Sequence, residues 1–564
     1  MKKKIGSILL AGLFVGCAFP FGACGGGGDG EEVDPNRTQL YVNVRDCGIG
    51  REFVYALKAG YEAKNPEVQV IPTFDDTLDD EGLQSLKTND DVDVIFAPNY
   101  ILNDFVSVNN QTSEYFADIT DIVTGGGENS IMAKMYETEK NYHNVGSATA
   151  PKFFSLPWYV SYHGTVYDVD LFEEENFYNI DGYAGLDCIA DTEDDFWGPD
   201  GKEGTYDDGL PATWEDMKLL MGEMESADVI PFTWTSYAGY SDSWLSSVVA
   251  SYEGASNFSL LGGFDGTYVY SENTEWMTGG TKNQETGNME LAVTSANGNM
   301  MGYQNGKLAA LEVAEYIIEN KLFSGKAIGT TQNHYEAQTE YLTSVELCKE
   351  DPNVKRIAFL MEGNWWELEA KETFNDMKTF YHEKYAYGTR RFGYFPWPKF
   401  IGSADIPDQV NTKTTLLGGN VDNRVNVCAV NKISPNLEIA KDFVKYAYSD
   451  EGNASFTINS GVLRPFDYEL TPEQQNGLTH YQKSVYTLSR EEATEKVSGY
   501  TRTGLMYTAA DYISGVCTFA ARTEKNELHT NPFNTFNTST NISSAESYMD
   551  CIKRYVEQKT NFWK

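Results

Sequence analysis

The sequence has 564 residues, which is enough for two or three domains with large cores. Its formal net charge of −40 argues against a nucleic-acid partner and against a broad face for anionic lipids, since both need clustered Lys and Arg. The 36 Tyr, 30 Phe and 10 Trp residues supply the cores and leave aromatic rings for ligand contact.

Residues 1–24 have the organisation of an export signal. Three lysines precede an apolar run over 5–21, which is shorter than the ~20 residues needed to span a bilayer, and small residues lead to Cys24. A cysteine followed by a flexible Gly-rich tether, here 25–36, resembles the lipobox of bacterial lipoproteins, in which the cysteine is acylated. The interpretation is a lipid anchor on Cys24, with Cys17 as the rival cysteine. A signal cleaved without lipid and an uncleaved anchor stay open.

After the tether, strands and helices alternate along the chain. The predicted elements are strands over 39–44, 68–74 and 91–97 and helices over 51–64 and 81–87. This alternation predicts a parallel sheet with right-handed crossovers, and such sheets bind ligands beyond the carboxyl ends of their strands. Asp75, Asn99 and Tyr100 follow strand ends, so we expect them at the mouth of a cleft. Asp75 has the alternative role of a helix N-cap.

Later helices are marked by the residues that open them. Thr213 and Asp216 form a capping box, and the apolar residues that follow form one buried stripe. Ser434-Pro435 and Thr471-Pro472 each open a further helix, and a last periodic stretch covers 544–558. We see no internal repeat in the sequence.

A series of short motifs follows in a fixed order. The motifs are Asn65–Val70, Asp91–Tyr100, Tyr115–Asp121, Phe154–Tyr159 with Tyr167–Phe172, Leu210–Asp216, Glu362–Trp366, Phe392–Pro398 and Gly418–Asn420. The series resembles family 1 extracellular solute-binding proteins, the sugar-binding components of ABC importers, over roughly 39–466. The resemblance implies an α/β, two-lobe periplasmic-binding-protein-like fold with a hinge and an interlobe cleft.

The resemblance also implies a division of the chain into lobes. Lobe 1 is expected to contain 37–155 and 421–465, and lobe 2 to contain 156–420 with an acidic insert at 181–209. Residues 466–564 are expected to form a C-terminal helical region that packs mainly on lobe 2.

Sugar recognition needs flat apolar faces and a few fixed polar groups, and the resemblance points to several candidates. In family members, a Trp at the position of Trp365 or Trp366 lines the cleft. Because adjacent residues diverge, we expect one of the two toward ligand and the other in the core. Asn364 is a candidate partner for sugar hydroxyls, and Asn420 precedes the return to lobe 1.

The aromatic segment over 232–244 resembles the sugar platform of the second lobe in this family. Its candidate rings are Trp234, Tyr240 and Trp244, for which a stripe of core residues is the alternative.

Three further candidates lie where the lobes are expected to join. Trp158 and Tyr159 near the hinge suit ligand contact or hinge packing. Arg464 belongs to a loop that often closes on ligand in this family, and a salt bridge is its alternative role.

The acidic insert carries carboxylates on a loop punctuated by glycines. Asp195, Asp200, Asp207 and Asp208 are candidate ligands for a structural Ca²⁺, since hard oxygen ligands suit that ion. The insert lacks the EF-hand ligand pattern, and a series of surface Asp-Gly turns is the alternative.

The sequence therefore predicts an exported, non-enzymatic receptor. The family resemblance implies that it is monomeric, that it binds a carbohydrate, in particular an oligosaccharide, and that it delivers this ligand to an ABC permease from the outer face of the cytoplasmic membrane. A GxSxG motif is absent, and Gly48-Ile49-Gly50 lacks the third glycine of a dinucleotide loop. An exported polysaccharide-degrading enzyme and a surface glycan-binding scaffold are the alternatives.

Overall fold

The structure, a computed structural model, describes 32–75, 91–98, 115–419 except 273, 275 and 295, 426–498 and 518–559. Several predictions of the sequence fall outside these described residues. They are the export signal with Cys17 and Cys24, most of the tether, the helix over 81–87, Asn99, Tyr100 and Asn420.

Sixteen strands are found in the described residues. They are β1 Thr38–Arg45, β2 Val68–Asp75, β3 Val94–Pro98, β4 Leu156–Pro157, β5 Tyr162–Asp168, β6 Ile230–Trp234, β7 Gly266–Tyr270, β8 Thr281–Lys282, β9 Met289–Val293, β10 Ile357–Gly363, β11 Phe392–Phe395, β12 Thr414–Gly418, β13 Asn426–Val430, β14 Thr494–Ser498, β15 Ala521–Arg522 and β16 Leu528–His529.

The helices in the first half of the described chain come next. They are α1 Glu52–Lys64, α2 Thr120–Thr124, α3 Ile131–Lys134, α4 Glu137–His143, α5 Val169–Glu174, α6 Trp214–Ser226, α7 Ala238–Phe258 and α8 Leu260–Gly263.

The remaining helices follow in chain order. They are α9 Asn305–Glu319, α10 His334–Glu350, α11 Trp366–Glu369, α12 Lys371–Phe380, α13 Leu437–Ala447, α14 Asp450–Ser460, α15 Pro472–Gln475, α16 His480–Arg490, α17 Pro532–Thr538 and α18 Ala545–Lys559. Short 3₁₀ turns lie at Gly127–Asn129, Gly298–Tyr303 and Glu383–Tyr385.

Lobe 1 is built on a five-stranded sheet of order β2-β1-β3-β13-β4. β1 runs parallel to β2 and β3, as the alternation of elements predicted, and β13 returns antiparallel to β3. Helix α1 covers this sheet with Phe53, Val54, Leu57 and Tyr61, all buried. β4 joins this sheet although the sequence placed its two residues at the start of lobe 2.

Lobe 2 is built on a mixed sheet of order β14-β12-β5-β10-β6, with β11 also paired to β5. β10 runs parallel to β6 and β12 parallel to β14, whereas β5 is antiparallel to β10, β11 and β12. Its main core packs α6, α7 and α9 on the sheet. A second core fills lobe 1 and continues through Trp158 and Tyr162 to Trp366 and Phe392 of lobe 2.

The capping signals in the sequence set most helix starts correctly. Thr213 and Asp216 make both hydrogen bonds of a capping box at α6, and Thr471 does the same with Gln474 at α15. The predicted start at Ser434 is three residues early, because the Ser434 side chain bonds to Asp93 and α13 begins at Leu437.

The C-terminal region packs mainly on lobe 2, but it is not only helical. β14 extends the sheet of lobe 2 beside β12, and α18 packs against α9. The purely helical prediction is therefore wrong for this strand. Among the described helices, none combines the length and the apolar character needed to cross a membrane.

Candidate ligand-binding site

The two lobes meet where the loop after β1 faces the residues after β10. A Cβ atom on Gly48 would lie 3.0 Å from Oε1 of Glu369 and 3.3 Å from Cδ1 of Trp365. The backbone of lobe 1 therefore approaches side chains of lobe 2 at a distance that leaves little room for a larger residue. Lys371 and Glu52 form an ion pair between the lobes at the same edge, with 3.4 Å between Nζ and Oε1.

Trp365 and Trp366 lie in opposite environments. Trp366 is 0% exposed and packs among the rings of Tyr341, Phe392 and Tyr481. Trp365 is partly exposed, and its ring lies over Gly363, where a Cβ atom would come within 2.1 Å of the indole. Trp366 is therefore a core residue, which corrects its place among the candidate ligand contacts, and ligand contact by Trp365 stays a prediction.

Five aromatic rings form a row that starts at His163 in β5 and ends at the surface. We call this row the ring track; it consists of His163, Trp365, Tyr240, His334 and Tyr335. The His163 and Trp365 rings are 5.0 Å apart, and the Trp365 side chain lies beside the Tyr240 hydroxyl, where it opposes the rise in the pKa of Tyr240. The Tyr240 and His334 rings are parallel at 6.0 Å, and Tyr335 follows at 4.0 Å. Exposure rises from 7% at His163 to 57% at Tyr335.

Two carboxylates lie beside the ring track. Glu362 at the end of β10 and Glu369 at the end of α11 both accept hydrogen bonds from Nε2 of Gln338, at 3.0 and 2.7 Å. Burial and the neighbouring charge of Glu369 raise the pKa of Glu362 well above its ordinary range, and burial also raises the pKa of Glu369. His334 Nε2 lies 3.7 Å from Oε1 of Glu369. Burial and the same two carboxylates raise the pKa of Tyr240.

Tyr159 lies at the hinge. Its ring packs on Trp158 with 4.7 Å between the centroids, and burial followed by the nearby Cys47 thiol of lobe 1 raises the pKa of its hydroxyl. Trp158 is fully buried and donates from Nε1 to the carbonyl of Ala97, at 3.2 Å. The ligand role considered for Trp158 is therefore wrong, and hinge packing is its role.

The segment over 232–244 supplies one ring to the cleft rather than three. Trp244 is buried and donates from its indole to Oγ1 of Thr165, at 2.9 Å, while Trp234 packs on Phe533. Both belong to the core of lobe 2, so their assignment as sugar-binding residues is wrong. Tyr240 differs because it lies in the first turn of α7, which begins at the cleft.

The side chains of Arg464 and Asn364 are also buried in the interior of the protein. The Arg464 guanidinium is 0% exposed and lies between the rings of Tyr448 and Phe456, 4.3 Å from each centroid. It donates to the Ala447 carbonyl and has no ion pair among the described residues, so neither ligand contact nor a salt bridge is correct.

The Asn364 side chain is an internal support of the hinge. It accepts from the Tyr162 amide and donates to the Val160 carbonyl, each at 3.1 Å, so its assignment to sugar hydroxyls is wrong. These two hydrogen bonds connect the end of β10 to the segment that enters β5.

Asp75 is placed as the sequence predicted. It ends β2, is partly exposed, and its carbonyl accepts from the Asp46 amide in the loop that faces Trp365. A ligand role for Asp75 stays a prediction.

The acidic insert contains a repeat that the sequence analysis missed. Thr192 and Thr205, thirteen residues apart, each donate from Oγ1 to a carbonyl three residues earlier, at 3.0 Å. Asp195 and Asp208 each accept from a backbone amide four residues earlier, at 2.8 Å. The insert is thus two copies of one turn, and the statement that the chain has no internal repeat is wrong.

The carboxylates predicted to bind calcium accept hydrogen bonds from amides and hydroxyls within these turns. Asp207 accepts from the Asp200 amide and from Thr205, and burial with the nearby Asp200 raises its pKa to about 6. In the part of the chain that the structure describes, no three His, Cys, Asp or Glu side chains are arranged to hold a metal ion. Calcium binding through Asp195, Asp200, Asp207 and Asp208 stays a prediction.

Sequence reasoning missed His163, Gln338, Glu362 and Glu369. The sequence does carry a signal for Glu362, because this residue opens the motif Glu362–Trp366 that contains the candidate Asn364. Gln338 carried no signal, because it comes to the carboxylates from a helix 24 and 31 residues away in sequence.

Comparisons with known proteins give a family and a distant structural likeness. The sequence pattern of the bacterial extracellular solute-binding proteins matches residues 48–454. Solved structures give a distant likeness. The putative binding protein MsmE of Bacillus subtilis, in an open conformation, is 14% identical to this chain, and the two structures align with a TM-score of 0.47. The bacterial solute receptor AcbH, described as exclusively preferring β-D-galactopyranose, is 11% identical with a TM-score of 0.48. Each alignment covers 94% of this chain and 99% of the other. A comparison with curated proteins gives no match.

Proposed function

The chain belongs to the bacterial extracellular solute-binding protein family, whose members are non-enzymatic receptors, and from this premise we propose that it captures an oligosaccharide between its lobes and delivers it to the permease of an ABC importer. The substrate-binding role follows from the family. The carbohydrate, its length and the mode of attachment to the cell are the proposal.

The ring track is the observation that carries the carbohydrate proposal. Pyranose rings present C–H faces that pack on aromatic side chains, while their hydroxyls need a small number of polar groups. Trp365 and Tyr240 supply such faces, and Glu362, Glu369 and Gln338 supply polar groups beside them. The row reaches the exposed Tyr335, which favours several sugar units over one.

Hinge closure is supported by the way the chain passes between lobes. It crosses from β4 to β5, from β12 to β13, and again after α14, where Val160 and Leu463 pair. Several adjacent crossings between the same two lobes restrict the motion to a hinge. A ligand that contacts Trp365 in lobe 2 and the Gly48 loop in lobe 1 stabilises the closed form, and no covalent bond is made or broken.

The N-terminal sequence supports attachment to the outer face of the cytoplasmic membrane through Cys24. Mass spectrometry of the protein recovered from membranes is expected to find a lipid on Cys24. A Cys24→Ser variant is expected in the soluble exported fraction, and a variant that stays in the membrane would contradict the anchor.

A thermal-unfolding screen of the purified monomer against mono- and oligosaccharides tests the ligand class. At 100 times its Kd, a ligand adds about 2.7 kcal/mol to the free energy of unfolding, which gives a clear shift of Tm. We expect oligosaccharides to raise Tm and to be recovered intact by chromatography. Absence of a shift with every carbohydrate would contradict the proposal, and cleavage of the sugar would point to the enzyme alternative.

Small-angle scattering tests closure in the same samples. The stabilising oligosaccharide is expected to reduce the radius of gyration, because the lobes approach each other when both contact the ligand. An unchanged radius would contradict the closure step and favour the scaffold alternative.

A further inference from the structure

Glu362 and Glu369 form a pair of carboxylates at the floor of the candidate site. A single amide, that of Gln338, donates to both, so their oxygens lie within hydrogen-bond distance of the same nitrogen. Glu362 is 5% exposed, and its Oε2 atom has no hydrogen-bond partner among the described residues; neither has Oε1 of Gln338. We call Glu362 and Glu369 the carboxylate pair.

Among the described residues, no Lys or Arg forms an ion pair with either member of the carboxylate pair. Glu369 has one basic neighbour, His334, whose Nε2 lies 3.7 Å from its Oε1, whereas no described basic side chain forms an ion pair with Glu362. Burial raises the pKa of both carboxylates, and the charge of Glu369 raises that of Glu362 further, so we expect the ligand-free pair to keep a proton. In a receptor, the missing cation can come from the ligand.

The surroundings of the pair suit a cation better than a neutral hydroxyl. Tyr240 lies close enough to both carboxylates for their charges to raise its pKa, and the Trp365 ring lies over Gly363, the residue after Glu362. Aromatic rings attract a cation through the ring quadrupole. A hydroxyl donates one hydrogen bond and leaves the charge of the pair uncompensated. An ammonium group carries three donors and a positive charge, which matches two carboxylates at one site.

We propose that the carboxylate pair receives a protonated amino group of the ligand, so that the oligosaccharide contains an amino-sugar unit with a free amine. This inference rests on the proposed function and narrows its substrate class. The amine stays protonated as it binds between the pair and the rings of Trp365 and Tyr240. The proton that the pair held is released to solvent, which leaves two carboxylates and one ammonium in the site.

Binding to an array of oligosaccharides is the first test. The array contains glucosamine oligomers with free amines, their N-acetylated forms, and the hydroxyl counterparts of the same linkage. We expect free-amine glycans to bind at least tenfold more tightly than both counterparts. A Glu362→Gln variant is expected to lose this preference, and Glu369→Gln is the second variant.

Glu367→Gln is the matched control. Glu367 lies between Glu362 and Glu369 in the sequence and is also a buried acid, but it accepts its hydrogen bond from Thr479, whereas Glu362 and Glu369 accept from Gln338. This variant is expected to keep the preference for free amines. Thermal unfolding without ligand checks that each variant is folded.

Calorimetry in two buffers of different ionisation enthalpy provides a readout that a structural role would not change. The binding heat of the free-amine ligand is expected to differ between phosphate and Tris at one pH, because the pair releases its proton. Glu362→Gln is expected to remove that difference.

The outcomes separate this inference from the proposed function. Binding of neutral oligosaccharides with no preference for free amines would overturn the amino-sugar inference and leave the carbohydrate receptor intact. Failure of every glycan to bind would overturn both. Retention of the amine preference and of proton release in Glu362→Gln and Glu369→Gln would overturn the role of the pair.

Discussion

At the scale of single residues, the site depends on neighbours with opposite orientations. Trp365 lies at the cleft and Trp366 in the core, although one peptide bond separates them. Tyr240 and Trp244 share one side of α7 and differ in depth, because Tyr240 lies half-buried in the first turn and Trp244, one turn later, is buried. The rings at the cleft therefore stand where helices begin: Trp365 directly precedes α11, and Tyr240 lies in the first turn of α7. Residues at such positions are covered by the protein on one side only.

Alanine substitutions of the two tryptophans are expected to separate stability from binding. Trp366→Ala should lower the free energy of unfolding by about 3 to 5 kcal/mol, because it leaves a cavity among four buried rings. Trp365→Ala should cost less stability and weaken oligosaccharide binding by roughly tenfold or more, since an aromatic contact is worth about 1.5 kcal/mol.

Urea unfolding and calorimetric titration measure the two effects in parallel. Equal losses of stability in both variants, or unchanged affinity in Trp365→Ala, would contradict the placement of Trp365 at the ligand.

At the scale of elements, side-chain caps connect helices to distant loops. Asp216 closes the capping box of α6, and its Oδ1 atom also accepts from the Ala184 amide at 2.8 Å. Burial raises the pKa of Asp216, since three N–H and O–H donors only partly offset desolvation. The start of α6 thus holds the acidic insert against lobe 2.

Thr213→Ala is expected to lower the free energy of unfolding by about 1 to 2 kcal/mol, because it removes a buried N-cap from α6. Thr471→Ala is the control, since its capping box is exposed and serves the four-residue helix α15. Urea midpoints at constant m-value give both numbers. A larger effect at Thr471 would show that cap burial does not decide the cost.

At the scale of the whole molecule, several acids are buried or half-buried and form no ion pair with a described Lys or Arg. Burial raises the pKa of Glu253 and Glu367 to about 7 and that of Glu312 to about 8. The ordinary pKa of Glu is 4.5, so the unfolded chain loses these protons as pH rises above 4.5. The folded protein still holds them there, because its pKa values are higher. Asp168 is the opposite case, because Arg390 and Arg356 outweigh burial and hold its pKa below the ordinary value.

The protein is expected to be more stable at pH 5.5 than at pH 8. Between pH 4.5 and about 8 the folded state binds more protons than the unfolded state, so the free energy of unfolding falls as pH rises. Paired acids such as Asp168 lose their contribution only at pH values below this window. The net charge of −40 adds repulsion in the same direction.

Glu367→Gln isolates one of these acids. It is expected to raise the free energy of unfolding at pH 8 by roughly 2 to 3 kcal/mol and to change it little below pH 4.5, since each pKa unit is worth about 1.4 kcal/mol. Calorimetric melting across pH measures both values. An equal gain of stability at both pH values would contradict titration of Glu367.

The calcium prediction also concerns the whole molecule, since the insert is anchored to lobe 2 through Asp216. A structural ion in the insert requires that EDTA lowers Tm and that added Ca²⁺ restores it. A Tm that EDTA leaves unchanged would contradict calcium in the insert and indicate that the repeated hydrogen-bonded turns and the anchor at Asp216 support it without an ion.

The sequence by itself determined features that depend on neighbouring residues. The strands around α1, the capping boxes of α6 and α15, and the inward faces of α1 and α6 follow from spacing and from caps, which act within one or two helical turns. The family resemblance determined the fold class in the same way, through short motifs in a fixed order, and the family match over 48–454 confirms it.

Only the tertiary structure decided which polar and aromatic side chains meet ligand. Trp158, Trp234, Trp244 and Arg464 have the composition of a binding site and lie in cores. The carboxylate pair is brought together with Gln338 by the packing of α10 on β10. Burial and partnership depend on the order of strands in two sheets and on contacts between distant segments. A local pattern of residues does not contain that information.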